Sequence, residues 1–211
     1  MVKACAIVLA AGSGSRFGGL KQFEDLGGRP VLDWSTQAAH TSCDTVVLVA
    51  PAGMLDDRGA VPGGATRSES VRAGLAAVPP GTDIVVVHDS ARPLASPLLF
   101  ERVVAAVVAG ADGAVPAIPV TDTIKQVDGS TVSATLDRSR LVAVQTPQAF
   151  RIDVLRAAHA RGGEATDDAA LVESIGGRVV TVPGDPRNLK LTTRDDLVVA
   201  RALLRVGSVA P

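Results

Sequence analysis

The sequence predicts a single α/β domain, residues 1–211, in which a mostly parallel, twisted sheet is flanked by helices. Composition is the first observation that supports this class: 46% of the residues are hydrophobic, but only 2% are aromatic. A core built from Ala, Val and Leu requires strands and helices that pack closely together. The second observation is that short β-branched runs alternate with helical patterns, which is typical of a parallel sheet covered on both faces.

Five apolar runs are the predicted strands of this sheet. They are continuous rather than alternating, as expected for strands buried on both faces, and they comprise residues 5–10, 45–50, 83–88, 112–118 and 178–182. The predicted helices comprise residues 31–40, 67–77, 97–109, 151–160, 167–175 and 194–205. Hydroxyl side chains before four of these helices are predicted N-caps: Thr66, Ser96, Thr166 and Thr193.

Residues 121–136 interrupt the alternation of strands and helices. The stretch TDTIKQVDGSTVSATL predicts two polar strands around the turn signal DGS, with no obvious apolar face of their own. A hairpin of this kind needs a partner to cover it. We therefore expect a projecting arm within about residues 119–146.

Charge and cysteine content argue against several function classes. Lys and Arg (21) almost balance Asp and Glu (22), without a long basic run, so a nucleic-acid partner is not expected. Cys5 and Cys43 supply neither a disulfide framework nor a zinc site, which fits the reducing cytoplasm. The apolar stretch 103–120 contains Asp112 and two prolines, so we expect no membrane helix there.

A glycine-rich turn, LAAGSGSRFGGLKQF, follows the first predicted strand at residues 9–23. Its glycines allow a close approach of backbone amides to anionic oxygens, although a plain flexible turn explains the glycines alone equally well. Phe17 stands where a dinucleotide fingerprint has a small residue, and no GK[ST] of a P-loop is present. Arg16 and Lys21 in the same turn favour a polyphosphate ligand over two merely solvated side chains.

The third predicted strand ends in HDSARP, residues 88–93. Open α/β sheets bind ligands at the carboxyl ends of their strands, so Asp89 is expected to face the glycine-rich turn. Mg²⁺ prefers one or two carboxylates together with phosphate oxygens and water, which makes Asp89 a candidate magnesium ligand. A helix or turn cap is an equally good interpretation of Asp89 from these residues alone. Arg92 would bind a second anionic group or solvate the turn.

Other hydroxyl and cationic side chains stand near predicted turns. Ser70, in GGATRSESVRAGL at residues 63–75, could reach a nucleoside, although a capped surface helix explains this stretch as well. The stretches PVTDTIK, LDRSRLVAVQTPQAF and PRNLKLTT contain the remaining candidates: Thr123, Arg138, Thr146 and Lys190. Each of these is an ordinary surface residue when considered alone.

Taken together, these stretches resemble one enzyme family. AAGSGSR, KQF, GGATRSESV, HDSARP, PVTDTIK, TPQAF, TDDAALVE and NLKLTT, in this order, are similar to the 2-C-methyl-D-erythritol 4-phosphate cytidylyltransferases of the non-mevalonate isoprenoid pathway. The similarity spans nearly the whole chain. The resemblance implies a Rossmann-like nucleotidyltransferase fold, a homodimer joined through the hairpin arm, and Mg²⁺-assisted transfer of CMP from CTP to methylerythritol phosphate.

The resemblance also implies roles for individual residues. The catalytic cations would be Arg16, Lys21 and Lys190, and Asp89 would hold magnesium. Nucleotide contacts would come from the glycine loop and from the start of the second predicted helix: Ala10, Ala11, Gly12, Ser13, Gly14, Gly64 and Ser70. Contacts with the sugar phosphate would come from Ser90, Arg92, Thr146 and, across the dimer, Thr123 and Arg138.

Several other functions remain as alternatives. A ribitol-5-phosphate cytidylyltransferase shares most of these motifs, whereas a purine-using relative usually has LAGG in place of LAAG. A catalytically silent nucleotide-binding relative is a further alternative, against which the retention of Arg16, Lys21, Asp89 and Lys190 argues. An NAD-dependent oxidoreductase is disfavoured because Phe17 breaks the fingerprint and the second strand lacks a ribose-binding acid.

Overall fold

The computed structural model describes residues 2–12, 14–54 and 59–207, and it confirms the predicted alternation of strands and helices. The strands are β1 (Ala4–Leu9), β2 (Thr45–Ala50), β3 (Val61–Pro62), β4 (Ile84–Asp89), β5 (Gly113–Pro119), β6 (Lys125–Asp128), β7 (Thr131–Thr135), β8 (Val142–Val144), β9 (Gln148–Arg151) and β10 (Val179–Pro183). The helices are α1 (Val31–Ser42), α2 (Arg67–Ala77), α3 (Pro97–Val108), α4 (Ile152–Ala160), α5 (Asp168–Ser174) and α6 (Arg194–Gly207). None of the described helices is long and apolar enough to cross a bilayer.

The main sheet is mostly parallel, as predicted. Its strand order is β10–β5–β9–β4–β1–β2–β3, with β8 paired to β5. Only β8 and β9 of these strands run antiparallel to their neighbours. Strands β3, β8 and β9 were not predicted, because each has only two to four residues and depends on pairing with distant segments rather than on local propensity.

Two apolar clusters cover the two faces of this sheet. Successive residues of β1 point to opposite faces, so that Val8 packs in one cluster and Ile7 in the other. The Val8 cluster includes Leu32 of α1 and Phe100 of α3, whereas the Ile7 cluster includes Val71 of α2 and residues of α4 and α5. Burial on both faces explains why the strand sequences are continuously apolar.

A third, smaller cluster, here called the rim cluster, lies at the carboxyl edge of the sheet. It consists of Phe17, Leu26, Val31, Leu191, Leu197 and Ala200. Phe17 is only 3% exposed, so the residue that breaks the dinucleotide fingerprint is an apolar anchor for the glycine loop. The cluster joins that loop to α1, to the segment before α6 and to α6 itself, and thereby fixes the backbone beside Arg16 and Lys190.

The helix starts agree with the prediction at Thr66 and Ser96 and differ at Thr166. Ser96 is the N-cap residue of α3, although its side chain makes no capping hydrogen bond. Thr66 caps α2 in a capping box, in which its hydroxyl accepts from the Glu69 amide and the Glu69 carboxylate accepts from the Thr66 amide. The prediction for Thr166 is wrong. Asp167 is the N-cap of α5, and its carboxylate accepts from the Ala170 amide at 3.1 Å.

Strands β6 and β7 form the predicted hairpin as a separate two-stranded sheet. Val127 and Val132 are opposite each other in the hairpin and are 57% and 55% exposed, so the hairpin has a small apolar face that the sequence pattern did not reveal. The hairpin lies within residues 119–146, and the last strand of that range, β8, returns to pair with β5.

Candidate active site

A cleft of about 360 Å³ opens at the carboxyl ends of β1 and β4. Leu9 and Asp89, the last residues of these strands, are partners in the parallel register. Because β2 and β4 lie on opposite sides of β1, the strand order reverses here, and open α/β sheets bind ligands at such points. The cleft is lined by Leu9, Ala10, Ala11, Gly12, Lys21, Gln22, Gly64, Ala65, Thr66, Arg67, Ser70, Asp89, Ser90, Ala91 and Lys190.

A wider hollow of about 570 Å³ lies at the opposite edge of the sheet, around the start of β4. Its charged lining residues are Asp83, Arg151 and Asp153, and Arg151 already pairs with Asp153 at 2.8 Å. The groups that suit an anionic ligand therefore converge in the smaller cleft and not in the larger hollow.

The glycine loop owes its shape to Gly14 and to a buried glutamine. Gly14 has a φ of +65°, and a Cβ atom at this position would overlap the carbonyl oxygen of Gly19, so only glycine fits. The amide nitrogen of Gln22 donates to the carbonyl oxygens of Ala10 at 2.8 Å and Gly12 at 3.3 Å. Gln22 thus satisfies two carbonyl oxygens that would otherwise repel an anion in the cleft.

Asp89 forms an ion pair with Lys190 across 101 residues of sequence. The Lys190 ammonium donates to Asp89 Oδ2 at 2.6 Å, and Arg67 Nε lies 3.5 Å from Asp89 Oδ1. Burial alone would raise the pKa of Asp89, but the charges of Lys190 and Arg67 outweigh it and hold this pKa well below its usual range. Asp89 is therefore a carboxylate at neutral pH.

Lys21 brings a further cation to the same place. Its ammonium donates to the Leu191 carbonyl at 2.7 Å. Burial lowers the pKa of Lys21, and repulsion from Lys190 and from the exposed Arg16 lowers it further, although Asp89 acts in the opposite direction. Lys21, Lys190 and Arg16 repel one another here and are only partly balanced by Asp89 and Asp196, so an added anion would relieve their repulsion.

Thr146 lies behind Asp89 rather than in the cleft. Its hydroxyl accepts from the Asp89 amide at 3.0 Å and lies 3.2 Å from His88 Nδ1. Burial lowers the pKa of His88 to about 4, so this imidazole is neutral at physiological pH. The Thr146 carbonyl accepts from the Asn188 side chain at 2.9 Å, and Arg92 donates to the Asn188 carbonyl at 2.7 Å. Thr146 and Arg92 thereby hold the segment that carries Lys190.

The start of α2 forms the other end of the cleft. The Gly64 amide donates to the Ser70 hydroxyl at 3.2 Å, and this hydroxyl donates to the Thr66 carbonyl at 2.9 Å. A Cβ atom on Gly63 would overlap the side chain of Ala11, so the turn lies directly against the glycine loop. This end is lined by small residues and backbone, which suits a flat ring.

Most of the predicted site residues line the cleft together: Ala10, Ala11, Gly12, Lys21, Gly64, Ser70, Asp89, Ser90 and Lys190. Arg16 is exposed beside the cleft, close enough to affect the pKa of Lys21. Thr123 and Arg138 are exposed at the arm, away from the cleft of their own chain, where Arg138 donates to the Thr121 carbonyl. Ser13 lies outside the described residues.

Sequence reasoning missed three side chains that shape the cleft. Arg67 contacts Asp89, and the signal for it was a cation at the first position of a predicted helix, where the helix dipole disfavours positive charge. Gln22 acts on backbone carbonyls of its own loop, and Asn188 acts on a carbonyl 42 residues away. Nothing in the local sequence indicates either contact.

The donor set at the cleft fits a magnesium ion only together with a phosphate ligand. The described residues contain no group of three or more His, Cys, Asp or Glu side chains that could hold a metal. Among the lining residues, Asp89 offers a carboxylate, with one oxygen 2.6 Å from Lys190 and the other 3.5 Å from Arg67. Mg²⁺ commonly binds through one or two carboxylates plus substrate phosphates, so this residue fits that mode.

Comparison with known proteins identifies relatives of the whole chain. The family model for 2-C-methyl-D-erythritol 4-phosphate cytidylyltransferase matches residues 4–206. The protein of that name from Saccharopolyspora erythraea is 47% identical, and the match covers 94% of this chain and 98% of the relative. The protein of that name from Rubrobacter xylanophilus is 44% identical, and the match covers 97% of this chain and 96% of the relative. The crystal structure of the Thermus thermophilus protein of the same name superposes with a TM-score of 0.82 at 37% identity, covering 94% of this chain and 98% of that one.

Proposed function

The chain belongs to the 2-C-methyl-D-erythritol 4-phosphate cytidylyltransferase family, and from this premise we propose that it transfers CMP from CTP to 2-C-methyl-D-erythritol 4-phosphate. The products are a CDP-alcohol and pyrophosphate, in the synthesis of isoprenoid precursors. The observation that carries the proposal is the convergence of Lys21, Asp89 and Lys190 on one cleft beside the glycine loop.

The chemistry of this transfer requires charge neutralisation more than proton transfer. A phosphate oxygen of the alcohol phosphate attacks the α-phosphorus of CTP, and the bond from that phosphorus to pyrophosphate breaks. The attacking phosphate is already an anion, so no general base is needed. Arg16, Lys21 and Lys190 neutralise the charge that accumulates on the phosphoryl oxygens and on the leaving group, which is the main contribution available to such enzymes.

The remaining proposed contacts are made at the two ends of the cleft. Gly64 and Ser70 bind the cytidine, and the loop amides from Ala10 to Gly14 surround the triphosphate. Mg²⁺, held by Asp89 and by phosphate oxygens, supplies further charge neutralisation when it is bound. Ser90, at the cleft, contacts the alcohol phosphate, while Arg92 and Thr146 hold the backbone that carries Lys190.

We also propose that the arm completes the site of a second copy of the chain. An isolated two-stranded hairpin is marginally stable in water, and this one exposes Val127 and Val132. A homodimer joined through the arm would cover these side chains and carry Thr123 and Arg138 to the alcohol phosphate of the partner. The two free cysteines support a cytoplasmic location for this dimer.

The decisive experiment measures pyrophosphate release from CTP with methylerythritol phosphate or ribitol 5-phosphate, each with Mg²⁺ or with EDTA. We expect turnover with methylerythritol phosphate and Mg²⁺, little with ribitol 5-phosphate, and a strong loss with EDTA. Binding of CTP without turnover of either alcohol would overturn the proposal in favour of a silent nucleotide-binding relative. A preference for GTP or ATP over CTP would likewise contradict it.

A further inference from the structure

Behind Asp89, a line of charged contacts runs from the cleft into the interior. Asp89 Oδ1 lies 3.5 Å from Arg67 Nε, and Arg67 Nη1 donates to Asp168 Oδ2 at 2.8 Å. The second carboxylate oxygen of Asp168 lies 2.9 Å from His159 Nε2. Arg67 begins α2, Asp168 begins α5 and His159 belongs to the last turn of α4, so the line joins three helices to the end of β4.

Asp168 and His159 lie too deep to be ordinary surface side chains. Their side chains are 1% and 3% exposed, and that of Arg67 is 25% exposed. A carboxylate at this depth is costly unless it is paired, and both oxygens of Asp168 have partners. Capping does not explain the arrangement, since Asp167 already caps α5.

Arg67 stands at a position where helix electrostatics disfavour a cation. It is the first residue of α2, where the helix dipole is positive and the capping box of Thr66 and Glu69 is already complete. Burial would lower the pKa of Arg67, but the carboxylates of Asp168 and Asp89 outweigh it and raise this pKa. The positive charge of Arg67 is therefore stabilised by its carboxylate partners and does not stabilise the helix.

We propose that Arg67, held by Asp168, which itself contacts His159, is a positioning residue that orients the Asp89 carboxylate toward Lys190 and the bound triphosphate. This inference rests on the proposed function. The close contact with Asp168 keeps the guanidinium 3.5 Å from Asp89, so Asp89 stays available to Lys190 at 2.6 Å. Without Asp168, the guanidinium is free to move onto Asp89 and to compete there with Lys190 and with a magnesium ion.

The test is a double-mutant cycle with Asp168→Asn and Arg67→Met. Asn keeps the shape of Asp168 but loses the charge that holds Arg67. We expect each single change to lower kcat about tenfold or more and to raise the Mg²⁺ concentration needed for half-maximal rate, since residues behind a metal-binding carboxylate commonly contribute about 10- to 100-fold. We expect the double variant to match Arg67→Met, because Asp168 acts on Asp89 only through Arg67.

Arg72→Met is the matched control, since Arg72 lies on the same helix and pairs with Glu164 at 3.7 Å on the surface. We expect it to keep wild-type kcat. Unfolding temperatures of all variants report whether each one folds. Calorimetric titration with CTP, with and without Mg²⁺, adds a readout that does not need turnover, and we expect Asp168→Asn to weaken the magnesium-dependent part of binding by about tenfold or more.

The two proposals fail in different ways. A wild-type protein that binds CTP with Mg²⁺ but turns over neither alcohol phosphate contradicts the proposed function, while the calorimetric comparison of variants still tests the role of Arg67. The positioning role is overturned if Asp168→Asn lowers only the unfolding temperature and leaves kcat and the Mg²⁺ titration unchanged. It is also overturned if the losses of the two single variants multiply in the double variant.

Discussion

The cleft and the hairpin arm differ in whether their side chains find contact partners within a single chain. In the cleft, Asp89 is 9% exposed and has two cationic partners from distant parts of the chain. On the arm, Val127 and Val132 lie opposite each other and are each more than half exposed. On the proposed function, binding of the nucleotide phosphates is organised within one chain, whereas binding of the alcohol phosphate depends on two.

The largest effect is expected from removing a cation of the cleft. Lys21→Ala deletes a charge that faces the triphosphate, and we expect kcat to fall about 10²- to 10³-fold, as when an oxyanion donor is lost. Pyrophosphate release in single turnover, with the exposed Lys3→Ala as control, measures this effect. A Lys21→Ala enzyme within a few fold of wild type would show that the cleft does not organise the reacting phosphates.

The next effect concerns the arm. Arg138→Ala removes the proposed charge-assisted contact to the alcohol phosphate, and we expect kcat/KM for that substrate to fall about 10- to 100-fold while the affinity for CTP stays unchanged. Steady-state kinetics at fixed CTP and calorimetry with CTP alone separate the two quantities.

Mixing the Lys21→Ala and Arg138→Ala variants tests directly whether the arm acts across the dimer. If the arm acts across the dimer, a heterodimer of Lys21→Ala and Arg138→Ala chains contains one intact site. Exchange of subunits in an equal mixture should then restore about a quarter of wild-type activity. No recovery, in a mixture where heterodimers are demonstrated by mass spectrometry, would place the arm at the site of its own chain.

A smaller effect is expected at Gln22, which supports the cleft without carrying charge. Gln22→Met keeps the volume of the side chain but leaves the carbonyl oxygens of Ala10 and Gly12 without their donor. Each lost hydrogen bond costs about 1 kcal/mol of stabilisation. We expect KM for CTP to rise about tenfold with kcat less affected. Gln22→Glu should raise KM further, because an ionised carboxylate cannot donate and repels the nucleotide. The exposed Gln37→Met on α1 is the control.

The smallest effect concerns the start of α6 and depends on pH. Asp196 accepts from the amides of Thr192 and Thr193, both at 2.7 Å. Burial would raise the pKa of Asp196, but these donors outweigh it and lower the pKa. A lowered carboxyl pKa gives stability that is present above the unfolded value and is lost as pH falls through the folded value. Relative to Asp196→Asn, the wild type should gain about 1 kcal/mol in free energy of unfolding at about pH 6 and lose this gain toward about pH 3, as urea titrations at the two pH values would measure.

Much of the fold could be predicted because its signals are local. The strands that form the centre of the sheet are continuous β-branched runs, and all six helices lie within two residues of their predicted bounds. Strand β9 escaped prediction because its four residues are held between β4 and β5 by long-range pairing. The error at Thr166 arose because Thr166 and Asp167 are adjacent N-cap types, and local sequence does not decide between them.

The site was predictable only to the extent that strand ends and motifs mark it. Asp89 follows from its place at the end of a buried strand, whereas Lys190 was assigned to the site only through the family resemblance. Gln22 acts on backbone oxygens, and residue type gives no local signal for that contact. Arg67 had a local signal, a cation at the first position of a predicted helix, but nothing local identifies Asp89 as its partner. The roles assigned to Thr123 and Arg138 depend on a second chain and stay predictions.

The rim cluster has a consequence for thermal inactivation. It is the smallest of the three apolar clusters, yet it holds the backbone beside Arg16, Lys21 and Lys190. Regions with little buried apolar surface open at lower free energy than the body of a domain. On warming, α6 should therefore detach while the central sheet is still intact, and catalysis should cease several degrees before circular dichroism registers global melting.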